Sequence, residues 1–252
     1  MTSSLRRRIL ALTAGEHQRL THGRDGARVL NDPFTTVVTV PLDEEQRLHP
    51  QLRQLEDSGV LVPGAVLVQN VFSRDRYVPI NNIWLQFGRA KYNAVQRVCQ
   101  LLGAHYVDIL DAKRGLTGRF ASAVARVSSL RADATVDFRE DMMDRLQLEV
   151  DFEGGAAHPD AAWDYMTEHG LHHDMDLLAL LELRRDERNR PRTHVMRMEL
   201  LSEAQTQFTF GLSLAEMIKA VSPMSLNIIG GQTKLHHAQV KICVGFVPRT
   251  QT

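Results

Sequence analysis

The side chains best suited to hold a metal ion are His169, His172 and His173, followed by Asp174 and Asp176. His169 and His173 stand at i and i+4, a spacing that would place both imidazoles on one helical face for a zinc ion. Gly170 interrupts that face, and Asp174 is well placed to cap a following helix. No HExxH pattern accompanies the group. The segment therefore reads more simply as a helix–helix loop. His236 and His237 are adjacent, so in a strand they would point to opposite faces.

An arginine cluster gives the second candidate chemistry. Arg184, Arg185, Arg188, Arg190 and Arg192 crowd a short polar link, with Arg197 nearby. Guanidinium groups offer planar paired donors to phosphate or carboxylate, so these arginines are the anion-binding candidates. Asp186 and Glu187 dilute the charge, and no P-loop, dinucleotide fingerprint or RNA-binding motif lies beside them. A solvated basic link after a helix is the simpler reading. Nucleophile signatures are missing too: there is no GxSxG elbow, and neither Cys99 nor Cys243 has a histidine-bearing signature beside it. The balance leans away from an enzyme, and no cofactor is expected.

A third candidate is a surface. Residues 130–153 read as two alternating segments around the polar turn Glu140–Asp144. Leu130, Ala132, Ala134, Val136 and Phe138 form one apolar face, and Leu146, Leu148, Val150 and Phe152 the next. Strict alternation marks an antiparallel pair with one wet face. On that face Arg131, Asp133, Asp137, Arg139, Glu149 and Asp151 are the candidate interaction residues. The same alternation would suit a membrane-inserting hairpin, although Leu130–Phe138 barely reaches the ~9 to 11 residues a spanning strand needs.

Composition sets the outer bounds. At 252 residues, with 43% hydrophobic and 24% charged residues, the chain is long enough for a substantial core. Formal net charge is zero, which argues against a nucleic-acid partner at the level of the whole chain. Two cysteines, each in an apolar pattern, form no disulfide framework and suit a reducing compartment, so a cytoplasmic location is expected. Arg6–Arg8 near the start lack the apolar run of an export signal, so none is expected.

The elements that must position these groups follow from periodicity. Leu5, Ile9 and Leu12 predict an amphipathic helix over residues 3–20. A strand is predicted over Phe34–Val40. A helix from about Asp43 is restarted at Pro50 and ended by Ser58–Gly59. Short strands surround Pro63–Gly64, and a turn is predicted at Ser73–Arg76. Ile83, Phe87, Ala90, Ala94, Val98 and Leu101 stripe a long helix, stopped by Gly103. Tyr106–Leu110 returns as a strand, and Phe120–Val127 is a weaker one. Helices after Pro159 and Asp174 form an αα-hairpin. His194–Leu201 and the alternating run through Phe208 and Leu214 read as strands. A final hairpin turns at Gly230–Gly231, and its return strand carries His236 to Phe246.

These elements predict an α+β fold: a predominantly antiparallel sheet built from hairpins, with amphipathic helices packed on it. A helix-rich part over 1–112 would precede a sheet-rich part over 113–252, or the two would be continuous. The functional expectation is a non-enzymatic protein that binds a protein partner or assembles as a homo-oligomer through its sheet surface and edges. The alternatives are a pore-forming effector that meets a membrane only after a trigger, and a metal- or phosphate-dependent enzyme.

Overall fold

A computed structural model describes residues 5–22, 26–115, 150–186, 191–200, 202–204, 206–207 and 237–248. It is an α+β fold with two mostly antiparallel sheets and several helices. The chain divides into two compact units, Met1–Trp84 with Ala204–Gly230 and Leu85–Glu203 with Gly231–Thr252.

The first unit opens with strand β1 (Arg8–Leu12), helix α1 (Ala14–His22), helix α2 (Gly26–Leu30) and strand β2 (Thr35–Thr39). The helix predicted over residues 3–20 is thus half strand. Ile9, Leu10, Ala11 and Leu12 are all fully buried, because β1 lies between β2 and β3 and is covered on both faces. A doubly covered strand loses its alternation and reads as an apolar run. Its spacing then matches a helix by accident. The helix starts later, where Thr13 Oγ1 accepts from the Glu16 amide at 3.3 Å and Glu16 Oε2 accepts from the Thr13 amide at 2.7 Å. That reciprocal pair is a capping box.

After a cis Val40–Pro41 bond come α3 (Glu44–Arg47) and α4 (Pro50–Asp57), restarted at Pro50 as expected. Strands β3 (Val66–Asn70) and β4 (Ser73–Pro79) complete a four-stranded sheet in the order β2-β1-β3-β4. Only β1 and β2 run parallel, joined by α1 and α2; the other pairings are antiparallel. The turn expected at Ser73–Arg76 lies earlier. Buried Asn70 accepts the Phe72 amide through Oδ1 at 3.0 Å, so the chain reverses there and Ser73 already pairs with Asn70. Ile9, Ala11, Val38, Leu42, Leu52, Leu61 and Leu67 form the core of this unit. Each of these apart from Ala11 contributes about 1.5–3 kcal/mol when fully buried.

Helix α5 (Ile83–Leu101) is the longest of the described elements and lies almost wholly in the second unit. Of the predicted stripe Ile83, Phe87, Ala94 and Val98 are buried while Ala90 and Leu101 are only half-buried, and the buried face widens to Trp84, Lys91, Tyr92, Val95 and Cys99. Strand β5 (Tyr106–Gly115), β6 (Val150–Asp151), α6 (Pro159–Glu168), α7 (Met175–Arg185), β7 (Thr193–Glu199) and β8 (His237–Gly245) follow. The sheet order is β6-β5-β8-β7, all antiparallel. Val107, Met196, Met198, Val240, Ile242 and Val244 bury one face. Of the hairpin expected over 130–153, the pairing of Val150–Asp151 with Tyr106–Val107 is described. Residues 130–149 of that hairpin lie outside the described residues, as do Phe120–Val127, Phe208–Leu214 and Gly230–Gly231.

Candidate functional site: a groove along an open strand edge

In the first unit β2 has one edge unpaired among the described strands, and that edge borders a groove of about 770 Å³. Thr35, Thr36 and Val37 form one wall, α3, α4 and the link between them supply Gln46, Leu48, His49 and Leu52, and His17 reaches it from α1. Leu48 is the most exposed apolar side chain of this lining, at 74%.

The backbone explains why the groove is open. The Arg8 amide donates to Phe34 O at 2.9 Å and the Val40 amide to Leu12 O at 2.7 Å. In a parallel ladder of this phase, the even-numbered residues of β2 face β1. Thr35, Val37 and Thr39 therefore direct their amides and carbonyls away from the sheet. Both ends of that edge are closed. The Thr35 amide donates to Asp32 O at 3.2 Å, and its carbonyl accepts from the Arg6 guanidinium at 3.0 Å. At the other end the Thr39 amide and hydroxyl donate to Gln46 Oε1 at 3.3 and 3.0 Å. Gln46 holds that position because its amide donates to the Asp43 carboxylate at 2.7 Å in the α3 capping box. Between the two plugs, the Val37 amide and carbonyl make no hydrogen bond among the described residues. Half-buried backbone groups left unmatched at a strand edge are templates for a further strand.

The arginine cluster behaves otherwise. Arg184 is 5% exposed. Its Nε donates to Leu102 O at 2.9 Å, and its guanidinium stacks 4.1 Å from the Phe246 ring centroid. It joins α7 to the end of α5 and to the exit of β8, and is withdrawn from any solvent anion. The reason is positional: Arg184 shares the inward face of α7 with Leu177, Leu180 and Leu181. Arg185 is turned outward to Glu182 and Asp160, at 2.7 and 3.6 Å. Arg192 is exposed; Arg188 and Arg190 lie outside the described residues.

The histidines are separated by the turn that Gly170 makes. His169 caps the end of α6 and stacks on Tyr165, with ring centroids 4.1 Å apart. His172 and His173 stack on each other at 3.8 Å. Among the described residues no group of three histidine, cysteine, aspartate or glutamate side chains could hold a metal ion. Asp174 caps α7, accepting the Leu177 amide at 3.3 Å. Of the predicted interaction surface, Asp151 is exposed in β6 opposite Tyr106. Arg131, Asp133, Asp137, Arg139 and Glu149 lie outside the described residues.

Two features escaped the sequence reading. One is Lys91, 3% exposed within the α5 stripe. Its position four residues after Phe87 and seven before Val98 was the available signal. The other is the β2 groove, which depends on the strand identity of residues 8–12. Among the described residues no helix is long and apolar enough to cross a membrane. Comparison with protein-family models, curated proteins and solved structures finds no match for this chain.

Proposed function

We propose that this protein is a binding module that captures an extended peptide segment of a partner along the open edge of β2. The observation that carries this reading is the unmatched Val37 amide and carbonyl, set in a groove between two closed ends. A peptide lying beside β2 would satisfy both groups, adding a strand to the sheet and placing its alternate side chains into the groove. Leu5, Leu30, Leu48 and Leu52 supply apolar surface there, and His17, Asp43 and Glu45 supply polar groups for orientation. The closed ends favour a short contact over indefinite edge-to-edge growth.

Val37→Pro is the decisive variant. It deletes the outward amide but leaves the β1 ladder, because proline is tolerated where an edge amide faces away from the sheet. A displayed library of random peptides is selected against the wild-type protein and retested on Val37→Pro and Val37→Thr. Peptides retained by Val37→Thr and lost by Val37→Pro, with the far-ultraviolet circular dichroism unchanged, support the proposal. Selected peptides that bind Val37→Pro as well as wild type, or a selection that yields none, overturn it.

A further inference from the structure

We infer that the partner segment captured beside β2 carries three consecutive apolar side chains, with a basic residue beyond them at the Thr39 end. This rests on edge capture at Val37 and adds the sequence class of the ligand. Strand β2 is covered on both faces. Its buried residues are Thr35 and Val38, which have opposite parity and so point to opposite sides of the sheet. Register pairs Val38 with Ala11, and both belong to the core that Leu52 of α4 closes. Val37 pairs with Leu10 and faces the other way. The crossover helices α1 and α2 occupy that second face, with α2 packed on β2. The groove continues this layering past β2. On the α4 side its wall is Leu5 and Leu52, which pack in one core cluster, and Leu48 from the link ahead of α4. On the crossover side its wall is Leu30 of α2 and His17 of α1.

A segment hydrogen-bonded at Val37 would sit between these two walls. The residue opposite Val37 shares its face and points toward Leu30 and His17. The residues before and after it point the other way, toward Leu5, Leu48 and Leu52. The closed ends at Thr35 and Thr39 confine the contact to this triplet. A strand covered on both faces takes a continuous apolar run, whereas one covered on a single face alternates. Charge selects the flank. Asp43 and Glu45 line the groove at the Thr39 end, both exposed, and neither makes an ion pair among the described residues. Glu44 adds a third acid in the same turn, and Arg47, the cation of α3, is held by Glu56 at 3.3 Å. The Thr35 end favours neither sign. Arg6 donates there to Asp32 O, and the Asp32 carboxylate stands 3.7 Å from Arg8, so cations and an anion are mixed.

The test uses the full chain and fluorescent heptapeptides read by anisotropy. Thr-Lys-Val-Leu-Val-Thr-Thr and Thr-Thr-Val-Leu-Val-Lys-Thr carry the triplet with lysine on either side, one for each strand direction. Thr-Val-Lys-Leu-Thr-Val-Thr has the same composition in alternation. The better triplet peptide is expected to bind about tenfold more tightly than the alternating one, which leaves one wall unfilled. Replacing its lysine by glutamate should weaken it severalfold at low salt, and Glu45→Lys should reverse that preference. Leu30→Ala and Leu48→Ala, one on each wall, should each weaken the triplet peptide while the circular dichroism spectrum is retained. Triplet and alternating peptides that bind equally, yet are both lost on Val37→Pro, would leave edge capture standing and overturn the triplet. So would the absence of a preference for lysine over glutamate, or a loss on only one wall variant. Binding that survives Val37→Pro, or no saturable binding by any peptide, overturns edge capture and the triplet with it.

Discussion

Lys91 Nζ lies 3.0 Å from Glu203 Oε1, and the lysine side chain is only 4% exposed. The same ammonium donates to Glu199 O at 2.7 Å and stands 3.8 Å from Asp174 Oδ2. One buried cation therefore joins α5, the cap of α7, the end of β7 and the segment at Glu203. Removing it leaves a carbonyl unmatched and two carboxylates without their counterion. Lys91→Ala is expected to cost about 3 kcal/mol, the low end for breaking a buried pair, because Glu203 retains 32% exposure. Glu203→Gln, which keeps an acceptor, should cost less. Urea unfolding of both variants checks the ranking; equal stability of wild type and Lys91→Ala would refute the assignment.

Asp174 gives this cluster a pH dependence of definite sign. Burial raises its carboxyl above the ordinary 3.8, and Lys91 and the Leu177 amide only partly offset that. A carboxyl raised on folding binds its proton more readily in the native state than in the unfolded one. Its contribution to stability is fully present below 3.8 and is lost as pH rises through the raised native value. Asp174→Asn keeps a capping oxygen but removes the titration. The stability of wild type minus that of Asp174→Asn should therefore increase as pH falls from neutral toward 3.8. A difference that is flat or decreases on acidification contradicts the sign. Thermal unfolding of the two proteins in parallel buffers measures it.

The two thiols should differ in reactivity. Cys99 is fully buried in α5, and loss of hydration pushes its thiol up to about 12. Cys243 is half-buried on β8, raised by burial and then by the charge of Asp108. Thiolate is the attacking species, so native protein should react first and slowly at Cys243. Labelling of Cys99 should wait for unfolding. Mass spectrometry after graded exposure to iodoacetamide reads the order, and prompt native labelling of Cys99 would sink the prediction.

Groups positioned by local chemistry were legible before the structure. Pro50 restarts a helix, Asp174 caps one, Gly103 stops one, and the β8 stripe through Val240, Ile242 and Val244 faces the core. Each signal lies within a few residues of its effect. What failed depended on neighbours distant in sequence. Strand β1 is covered on both faces by elements the alternation rule cannot see, so its pattern imitated a helix. Arg184 looked like a solvent cation because its partners, Leu102 and Phe246, are far away in the chain. The β2 groove was illegible for a related reason: an open backbone edge is defined by which strands do not pair, and no side chain records that.

The end of α5 should be an unforgiving backbone position. Gly103 holds φ +83°, and a Cβ there would meet Gly155 O at 2.5 Å and the Arg184 guanidinium at 3.3 Å. Gly103→Ala must therefore strain the left-handed turn and displace a backbone carbonyl, with an expected cost of about 2 kcal/mol. Arg184→Lys attacks the same junction from the side-chain end. Lysine has no planar fork to hold Leu102 O while stacking on Phe246, so this exchange should also destabilise, by about 1–3 kcal/mol. Because both residues serve one junction, the double variant should lose less than the sum of the singles. Chemical denaturation of the two singles and the double completes the cycle; strict additivity would show that Gly103 and Arg184 act independently.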